Sequence, residues 1–173
     1  MIAQQEILKN LRDIPDFPKK GIIFKDITPL LSNPQAFSAV IKHFAEEFKG
    51  KGITKIVGIE SRGFIFASAL AHEMGLGFIP VRKKGKLPYH TISADFALEY
   101  GTDTLQIHTD AVNSSDTVLI VDDLLATGGT INAAIELVTK LGAKVYCCAF
   151  LCELAFLNGR EKVKAPVKTL VTL

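Results

Sequence analysis

The feature that most constrains the fold is an apolar strand pattern that ends at Asp122 and Asp123 and runs into a small, Gly-rich turn at residues 126–130. A segment with helical periodicity follows over residues 130–141. Such a turn directs backbone N–H groups and the positive end of a helix dipole at one spot, so it predicts an anion site with acids at its edge. The alternative is an ordinary strand-to-helix turn whose acids are solvated.

The rest of the chain also alternates strands with helices. Predicted helices cover residues 4–12, 34–50, 64–74 and 130–141, and predicted strands cover residues 55–60, 77–82, 104–109, 144–152, 167–171 and the run before Asp122. Asn33 is the predicted N-cap of the second helix. This order predicts an α/β fold with a mostly parallel central sheet flanked by helices. Residues 83–103 interrupt this alternation of strands and helices. The segment is polar and basic, and its weak alternation predicts some hairpin structure.

Composition narrows the class of protein. The chain has 173 residues, the size of one domain. No apolar run approaches the roughly 20 residues that span a bilayer, and the N-terminus lacks a signal-peptide pattern, so we expect neither a membrane partner nor export. Cys147, Cys148 and Cys152 share one apolar run, which favours buried thiols in a reducing cytoplasm. A net charge of +2 says little about nucleic acid, so the positions of the cations matter more.

Three segments that contain charged residues, glycine and, in two of them, hydroxyl side chains follow predicted strands. They lie at the sheet edge where open α/β folds bind ligands. They are residues 60–63, 82–86 and 122–130. The second places four cations in five positions, which by itself favours a solvated loop or a nucleic-acid patch. Across from an anion site, however, it predicts a ligand with phosphate at one end and further negative charge at the other. A molecule with a monophosphate, vicinal hydroxyls and a pyrophosphate, such as 5-phosphoribosyl-1-pyrophosphate, fits all three segments when bound with a divalent metal.

These segments resemble the type I phosphoribosyltransferases, and within that family the adenine branch. The similarity is carried by residues 16–18, 21–31, 60–64, 82–88, 98–101 and 121–130. The last segment is typical of the whole superfamily, whereas residues 24–27 and 98–101 point to the adenine branch. The resemblance implies a type I phosphoribosyltransferase fold in one domain, 1–173. It also implies a hood-like segment at 1–33 and a flexible catalytic flap or hairpin at 83–103 over the active site.

The resemblance also implies how phosphoribosyl pyrophosphate would bind. Asp122 and Asp123 would bind the ribose hydroxyls or help to organise Mg²⁺, which the substrate would mainly hold. The turn at Glu60 and Ser61 usually contains a non-proline cis peptide in this family. The expected 5′-phosphate residues are Ala126, Thr127, Gly128, Gly129 and Thr130. The expected residues on the pyrophosphate side are Glu60, Ser61, Arg62, Arg82 and Lys86.

For the base, the resemblance implies that Phe24 and Leu124 form an apolar slot, the Ile23 backbone reads the amino edge of adenine, and Arg62 contacts a ring nitrogen. Plain core packing is the alternative for Phe24 and Leu124. Glu99 would be the flap acid/base, with Tyr100 beside it. An ordinary surface acid in a hairpin is the alternative for Glu99.

The implied function is purine salvage: adenine and phosphoribosyl pyrophosphate give AMP and pyrophosphate through an oxocarbenium-like transition state, in a cytoplasmic homodimer that needs Mg²⁺. One alternative is the same transfer to hypoxanthine, guanine or xanthine. Another is a non-catalytic regulator that senses phosphoribosyl pyrophosphate, although 173 residues leave no room for an added DNA-binding domain. A third, RNA binding through residues 82–86, lacks interleaved aromatics, so we expect no nucleic-acid partner.

Overall fold

The computed structural model describes residues 2–98 and 101–173, which form two compact units. The first extends to Glu47, and the second comprises Phe48–Leu173. The early elements are α1 (Gln4–Lys9), β1 (Arg12–Pro15), β2 (Ile23–Asp26), α2 (Thr28–Ser32) and α3 (Pro34–Phe48). They are followed by β3 (Lys55–Ile59), α4 (Gly63–Met74), β4 (Gly77–Lys83), β5 (Thr91–Leu98), β6 (Gly101–His108), β7 (Thr117–Leu125), α5 (Gly129–Lys140), β8 (Lys144–Glu153) and β9 (Val167–Thr172).

The N-terminal unit contains a hairpin where the sequence predicted a proline-rich loop. Strands β1 and β2 pair antiparallel, with Arg12 opposite Asp26. The Thr28 N–H donates to the Asp26 carboxylate, and the Arg12 guanidinium lies 2.6 Å from it; together these contacts lower the pKa of Asp26 to about 2. Helix α1 ends at Lys9 rather than at residue 12, because the chain leaves the helix to enter β1. The N-cap prediction is confirmed: Asn33 Oδ1 accepts the N–H groups of residues 35 and 36 at 3.2 and 3.1 Å.

The second unit is built on a seven-stranded sheet in the order β5-β6-β4-β3-β7-β8-β9. Strands β4, β3, β7, β8 and β9 are parallel to one another, whereas β6 pairs antiparallel with both β4 and β5. From β3 the chain crosses to β4 on one side, and from β7 it crosses to β8 on the other. Two right-handed crossovers in opposite directions place α4 and α5 on opposite faces, which makes β3 and β7 the topological switch point. The predicted fold class is confirmed.

Strand burial follows from these covering helices. The central residues of β3, β7 and β8 are mostly apolar and buried, as expected for parallel strands covered on both faces. Val57, Ile59 and Ile120 pack in one cluster with α5 residues such as Ala134 and Leu137. All three cysteines lie in β8 as buried free thiols. Within the described residues, no helix combines the length and apolarity needed to cross a membrane.

The excursion after β4 forms a hairpin that belongs to the sheet. Strand β5 pairs with β6 from Thr91 opposite His108 to Leu98 opposite Gly101. The predicted strand at 104–109 therefore starts earlier, at Gly101, and runs antiparallel to its neighbours. Hairpin character was predicted, but the place of β6 beside β4 was not, because that pairing joins residues distant in the sequence.

Candidate active site

A cleft of about 280 Å³ lies where the carboxyl ends of β3, β4 and β7 meet the flap hairpin. Its position is the one expected at a switch point, because the two crossovers leave a crevice between their first turns. The cleft is lined by Glu60, Ser61, Arg62, Lys83, Phe96, Asp103, Leu105, Asp122, Asp123, Leu124 and Thr130. The fold thus brings together residues from the three segments predicted to share one ligand.

The turn between β7 and α5 surrounds a smaller cavity of about 70 Å³ that adjoins the cleft. Gly128 stands before the first residue of α5 with φ of 86°, a left-handed conformation that glycine adopts without a steric penalty. The first N–H groups of α5 have no partner inside the helix and carry the positive end of its dipole. The cavity is lined by Asp122, Leu124, Leu125, Ala126, Thr127, Gly128, Thr130, Ile131 and Phe150. Its size and polarity suit a phosphate group.

Asp122 and Asp123 lie side by side at the end of the buried part of β7. Asp122 Oδ1 accepts the Asp123 N–H at 2.9 Å, and a Cβ built at Gly63 would lie 2.6 Å from the same oxygen. Because the start of α4 covers it, desolvation raises the pKa of Asp122 well above the ordinary value, and the Asp123 charge raises it further. Burial also raises the pKa of Asp123, although Arg62 opposes this with Nε 2.8 Å from Asp123 Oδ2. The pair therefore favours a cationic partner.

Glu60 and Arg82 form a bidentate ion pair at the other side of the cleft. Arg82 Nε and Nη2 donate to the two Glu60 carboxylate oxygens at 3.1 and 3.0 Å, and the Lys83 N–H donates to the same carboxylate at 3.1 Å. The hydrogen bonds from Arg82 hold the pKa of Glu60 below its usual range. Arg82 Nη1 also donates to the Lys86 carbonyl at 3.0 Å. Both side chains are thus occupied in joining β3 to the loop after β4.

The Glu60-Ser61 peptide is cis, as the family resemblance implied. Ser61 and Arg62 line the cleft directly after it. Lys86 contributes its carbonyl to Arg82 while the residue is exposed to solvent. The structure therefore gathers the five predicted pyrophosphate-side residues at one edge, with Glu60 and Arg82 bound to each other.

Lys83 and Asp103 line the cleft although the sequence did not single them out as site residues. Lys83 Nζ lies 3.1 Å from Asp103 Oδ2, and a backbone hydrogen bond from Thr104 followed by the Lys83 bond lowers the pKa of Asp103. Phe96 adds an apolar wall from β5. Lys83 was visible as one cation among four in its loop. Phe96 and Asp103 carried no local signal, because only the pairing of β5 and β6 brings them to the site.

The predicted adenine residues divide between the two compact units. Leu124 and Arg62 line the cleft in the second unit, whereas Ile23 and Phe24 lie in β2 of the first. Phe24 packs edge to face on Phe17 with ring centroids 5.1 Å apart. The slot that Phe24 and Leu124 would form stays a prediction. Glu99 and Tyr100 lie outside the described residues, so the flap acid/base also stays a prediction.

Known proteins are similar to this chain in sequence and fold. The sequence matches the phosphoribosyl transferase domain family over residues 26–173. A protein of Anaeromyxobacter dehalogenans named adenine phosphoribosyltransferase is 56% identical over 94% of this chain and 95% of its own length. The chain belongs to the adenine phosphoribosyltransferase family.

Solved structures of this family agree with the fold. The crystal structure of adenine phosphoribosyltransferase from Thermoanaerobacter pseudethanolicus is 50% identical, with a TM-score of 0.95 over 99% of this chain and 100% of that one. The Saccharomyces cerevisiae adenine phosphoribosyltransferase, crystallised with an imino-altritol bisphosphate and adenine, is 45% identical, with a TM-score of 0.92 over 96% of this chain and 97% of that one. The resemblance inferred from sequence motifs is therefore confirmed.

Proposed function

We propose that the chain transfers the phosphoribosyl group of 5-phosphoribosyl-1-pyrophosphate to adenine, giving AMP and pyrophosphate. The bond between C1′ and the pyrophosphate oxygen breaks, N9 of adenine bonds to C1′, and adenine gives up one proton. The observation that carries this proposal is the Asp122-Asp123 pair, with Asp123 buried and Asp122 partly buried, between a phosphate-sized cavity and a larger cleft, in a chain of this family.

The cavity at residues 126–130 would hold the 5′-phosphate. Helix N–H groups and the hydroxyls of Thr127 and Thr130 would donate to its oxygens, and the dipole adds at most about 2 kcal/mol in partly buried geometry. With the phosphate anchored there, Asp122 and Asp123 face the ribose in the adjoining cleft, to which both contribute. Their carboxylates would accept hydrogen bonds from the ribose hydroxyls.

The same carboxylates would lower the reaction barrier. As pyrophosphate leaves, positive charge grows on the sugar ring, and two carboxylates fixed in a desolvated position stabilise that charge more than they stabilise the ground state. Their raised pKa values fit this role, because a buried acid that is costly to ionise alone gains most from a nearby cation.

The pyrophosphate would lie at the edge formed by Ser61, Arg62, Lys83 and Lys86. Backbone N–H groups of the turn after β3 and the ammonium groups of the basic loop would neutralise it as it departs. Arg82 and Glu60 would act at this side as positioning residues, because their hydrogen bonds join the two loops that face the leaving group.

Adenine would stack in a slot between Phe24 and Leu124, with the Ile23 backbone reading its amino edge and Arg62 at a ring nitrogen. A 6-oxo purine reverses the donor and acceptor pattern at that edge, which rejects it by a factor of roughly 10⁴ when buried groups are left unpaired. Glu99 would accept the proton on the N7 side once the flap, with Tyr100, covers the base. Flap closure would also keep water from capturing the sugar.

The acid pair suits a Mg²⁺ ion whose ligands come partly from the protein and partly from the substrate. In the described residues no group of three or more histidine, cysteine or carboxylate side chains could hold a metal ion. Mg²⁺ commonly takes one or two carboxylates and completes its shell with substrate phosphates and water. Asp122 and Asp123 would supply those carboxylates, and the bound ion would neutralise charge on the pyrophosphate. We also propose that the chain forms a homodimer and that it is cytoplasmic; the three buried free thiols support a reducing compartment.

The test is to incubate the protein with Mg²⁺ and phosphoribosyl pyrophosphate and to offer adenine, hypoxanthine, guanine, xanthine, uracil and orotate separately. Nucleotide formation is measured by chromatography. We expect AMP from adenine and at least about 10³-fold slower product from the other bases. Failure to form AMP would refute the proposal, and faster product from a 6-oxo purine would move the assignment to another base.

A further inference from the structure

A second layer of contacts lies behind the phosphate turn. We propose that residues 159–164, named here the backing segment, position the turn at residues 126–130 for the 5′-phosphate and so set the affinity for the phosphoribosyl substrate. This proposal rests on the proposed function, because it deepens the role given to that turn. The residues concerned are positioning residues that touch no reacting atom.

Backbone contact between the two segments is unusually close at Gly159. This residue has φ of −65° and ψ of −35°, so its backbone conformation is open to any amino acid. A side chain is excluded by space instead: a Cβ built at Gly159 would overlap the Ala126 carbonyl oxygen and lie 3.1 Å from the Thr127 carbonyl carbon. From the other side, a Cβ built at Gly128 would lie 2.9 Å from the Gly159 carbonyl oxygen. The phosphate turn therefore rests directly on the main chain of the backing segment.

Asn132 fastens the backing segment to the first turn of α5. Its Nδ2 donates to the Lys162 carbonyl at 2.7 Å, and its Oδ1 accepts the Lys164 N–H at 3.0 Å. The Asn132 N–H donates to the Gly128 carbonyl at 3.2 Å, which links the same residue to the phosphate turn. One side chain thus couples the segment to the helix start that would bind the anion.

Arg160 fixes the other side of the backing segment to the sheet. Its Nε donates to Glu153 Oε1 at 2.9 Å, and its Nη1 donates to the Val167 carbonyl at 3.1 Å. Glu153 is 6% exposed at the end of β8. Because a largely buried carboxylate is anchored by several charge-assisted hydrogen bonds, the segment has little freedom to move away from the turn. The backing segment is thus bonded to the sheet on one side and contacts the phosphate turn on the other.

The experiment compares Asn132→Ala with Asn113→Ala. Asn113 Oδ1 also accepts two hydrogen bonds, from the Ser115 N–H and hydroxyl, but it lies in the loop before β7, at the opposite end of that strand from the phosphate turn. Binding of ribose 5-phosphate and of unphosphorylated ribose is measured by calorimetry, and KM values for phosphoribosyl pyrophosphate and adenine are measured alongside. Gly159→Ala is a second variant that moves the turn directly.

We expect Asn132→Ala to weaken ribose 5-phosphate binding and to raise KM for phosphoribosyl pyrophosphate by about tenfold, since small misplacements of a binding group carry large costs. In Asn132→Ala, the affinity for unphosphorylated ribose and the KM for adenine should change less than twofold. In Asn113→Ala, the affinity for ribose 5-phosphate and the KM for phosphoribosyl pyrophosphate should also change less than twofold. Equal behaviour of the two asparagine variants would overturn the proposal, whether or not Gly159→Ala folds. If wild-type protein binds ribose 5-phosphate but makes no nucleotide, the proposed function fails while the affinities still decide the role of the backing segment.

Discussion

Glu60→Gln removes the charge that joins the two loops on the pyrophosphate side. The wild-type carboxylate accepts two hydrogen bonds from Arg82 and one from the Lys83 N–H. The Gln amide keeps one acceptor oxygen but turns an NH₂ group toward the guanidinium. The side chains of Glu60 and Arg82 are 16% and 32% exposed, so solvent screens the pair only in part.

Losing one charge-assisted hydrogen bond between partly buried side chains lowers the free energy of unfolding by about 2 kcal/mol. For a chain of this size, about 2 kcal/mol lowers Tm by about 4–8 °C. The same change loosens the Arg82 side chain, whose Nη1 holds the Lys86 carbonyl, so we expect KM for phosphoribosyl pyrophosphate to rise severalfold and KM for adenine to stay within twofold. Thermal unfolding and steady-state kinetics at pH 7 measure both effects.

The effect on stability depends on pH with a definite sign. Because Arg82 holds the pKa of Glu60 below the ordinary value, the ionised carboxylate stabilises the folded state above the unfolded pKa. That stabilisation is lost as pH falls through the folded pKa. The Tm difference between wild type and Glu60→Gln should therefore be largest at neutral pH and decrease below about pH 4.

Glu136→Gln is the matched control. Glu136 pairs with Lys140 one turn along α5, and both side chains are about half exposed, at 49% and 52%. A pair of this kind contributes about 0.3–0.5 kcal/mol. Equal Tm values and equal KM values for the two Gln variants would refute the argument that the Glu60-Arg82 pair organises this edge of the cleft.

Three further outcomes are expected. Since burial raises the pKa of Asp122, ionising it costs stability as pH rises above the unfolded pKa, so Asp122→Asn should raise Tm at pH 7 while lowering turnover about 100-fold; unchanged Tm and turnover would contradict this. Because the φ of Gly128 is 86°, Gly128→Ala should lower the free energy of unfolding by about 1–2 kcal/mol and raise the KM for phosphoribosyl pyrophosphate. The KM for adenine is the internal control. Cys147, Cys148 and Cys152 are at most 3% exposed, so thiol reagents should label them only after unfolding; rapid labelling of native protein would contradict their burial.

Local physics explains what could be predicted from the sequence. Strand and helix periodicity around the Asp122-Asp123 turn was sufficient for the α/β class, because parallel strands covered on both faces need apolar runs alternating with helices. The Asn33 cap could be predicted because its capping hydrogen bonds reach residues 35 and 36, which follow it directly in the sequence. In the N-terminal unit, the short hairpin of β1 and β2 escaped detection because its four-residue strands are too short for a clear alternation.

The motifs determined the family and the chemical identity of the site residues, because the side chains that bind anions and sugars are grouped in short local runs at strand ends. Tertiary structure alone decided which of those groups are available. It paired Arg82 with Glu60, brought Lys83, Phe96 and Asp103 to the cleft, and set Gly159 behind the phosphate turn. Each of these contacts joins residues far apart in the chain, where burial and pairing depend on how strands assemble across the sheet rather than on local sequence.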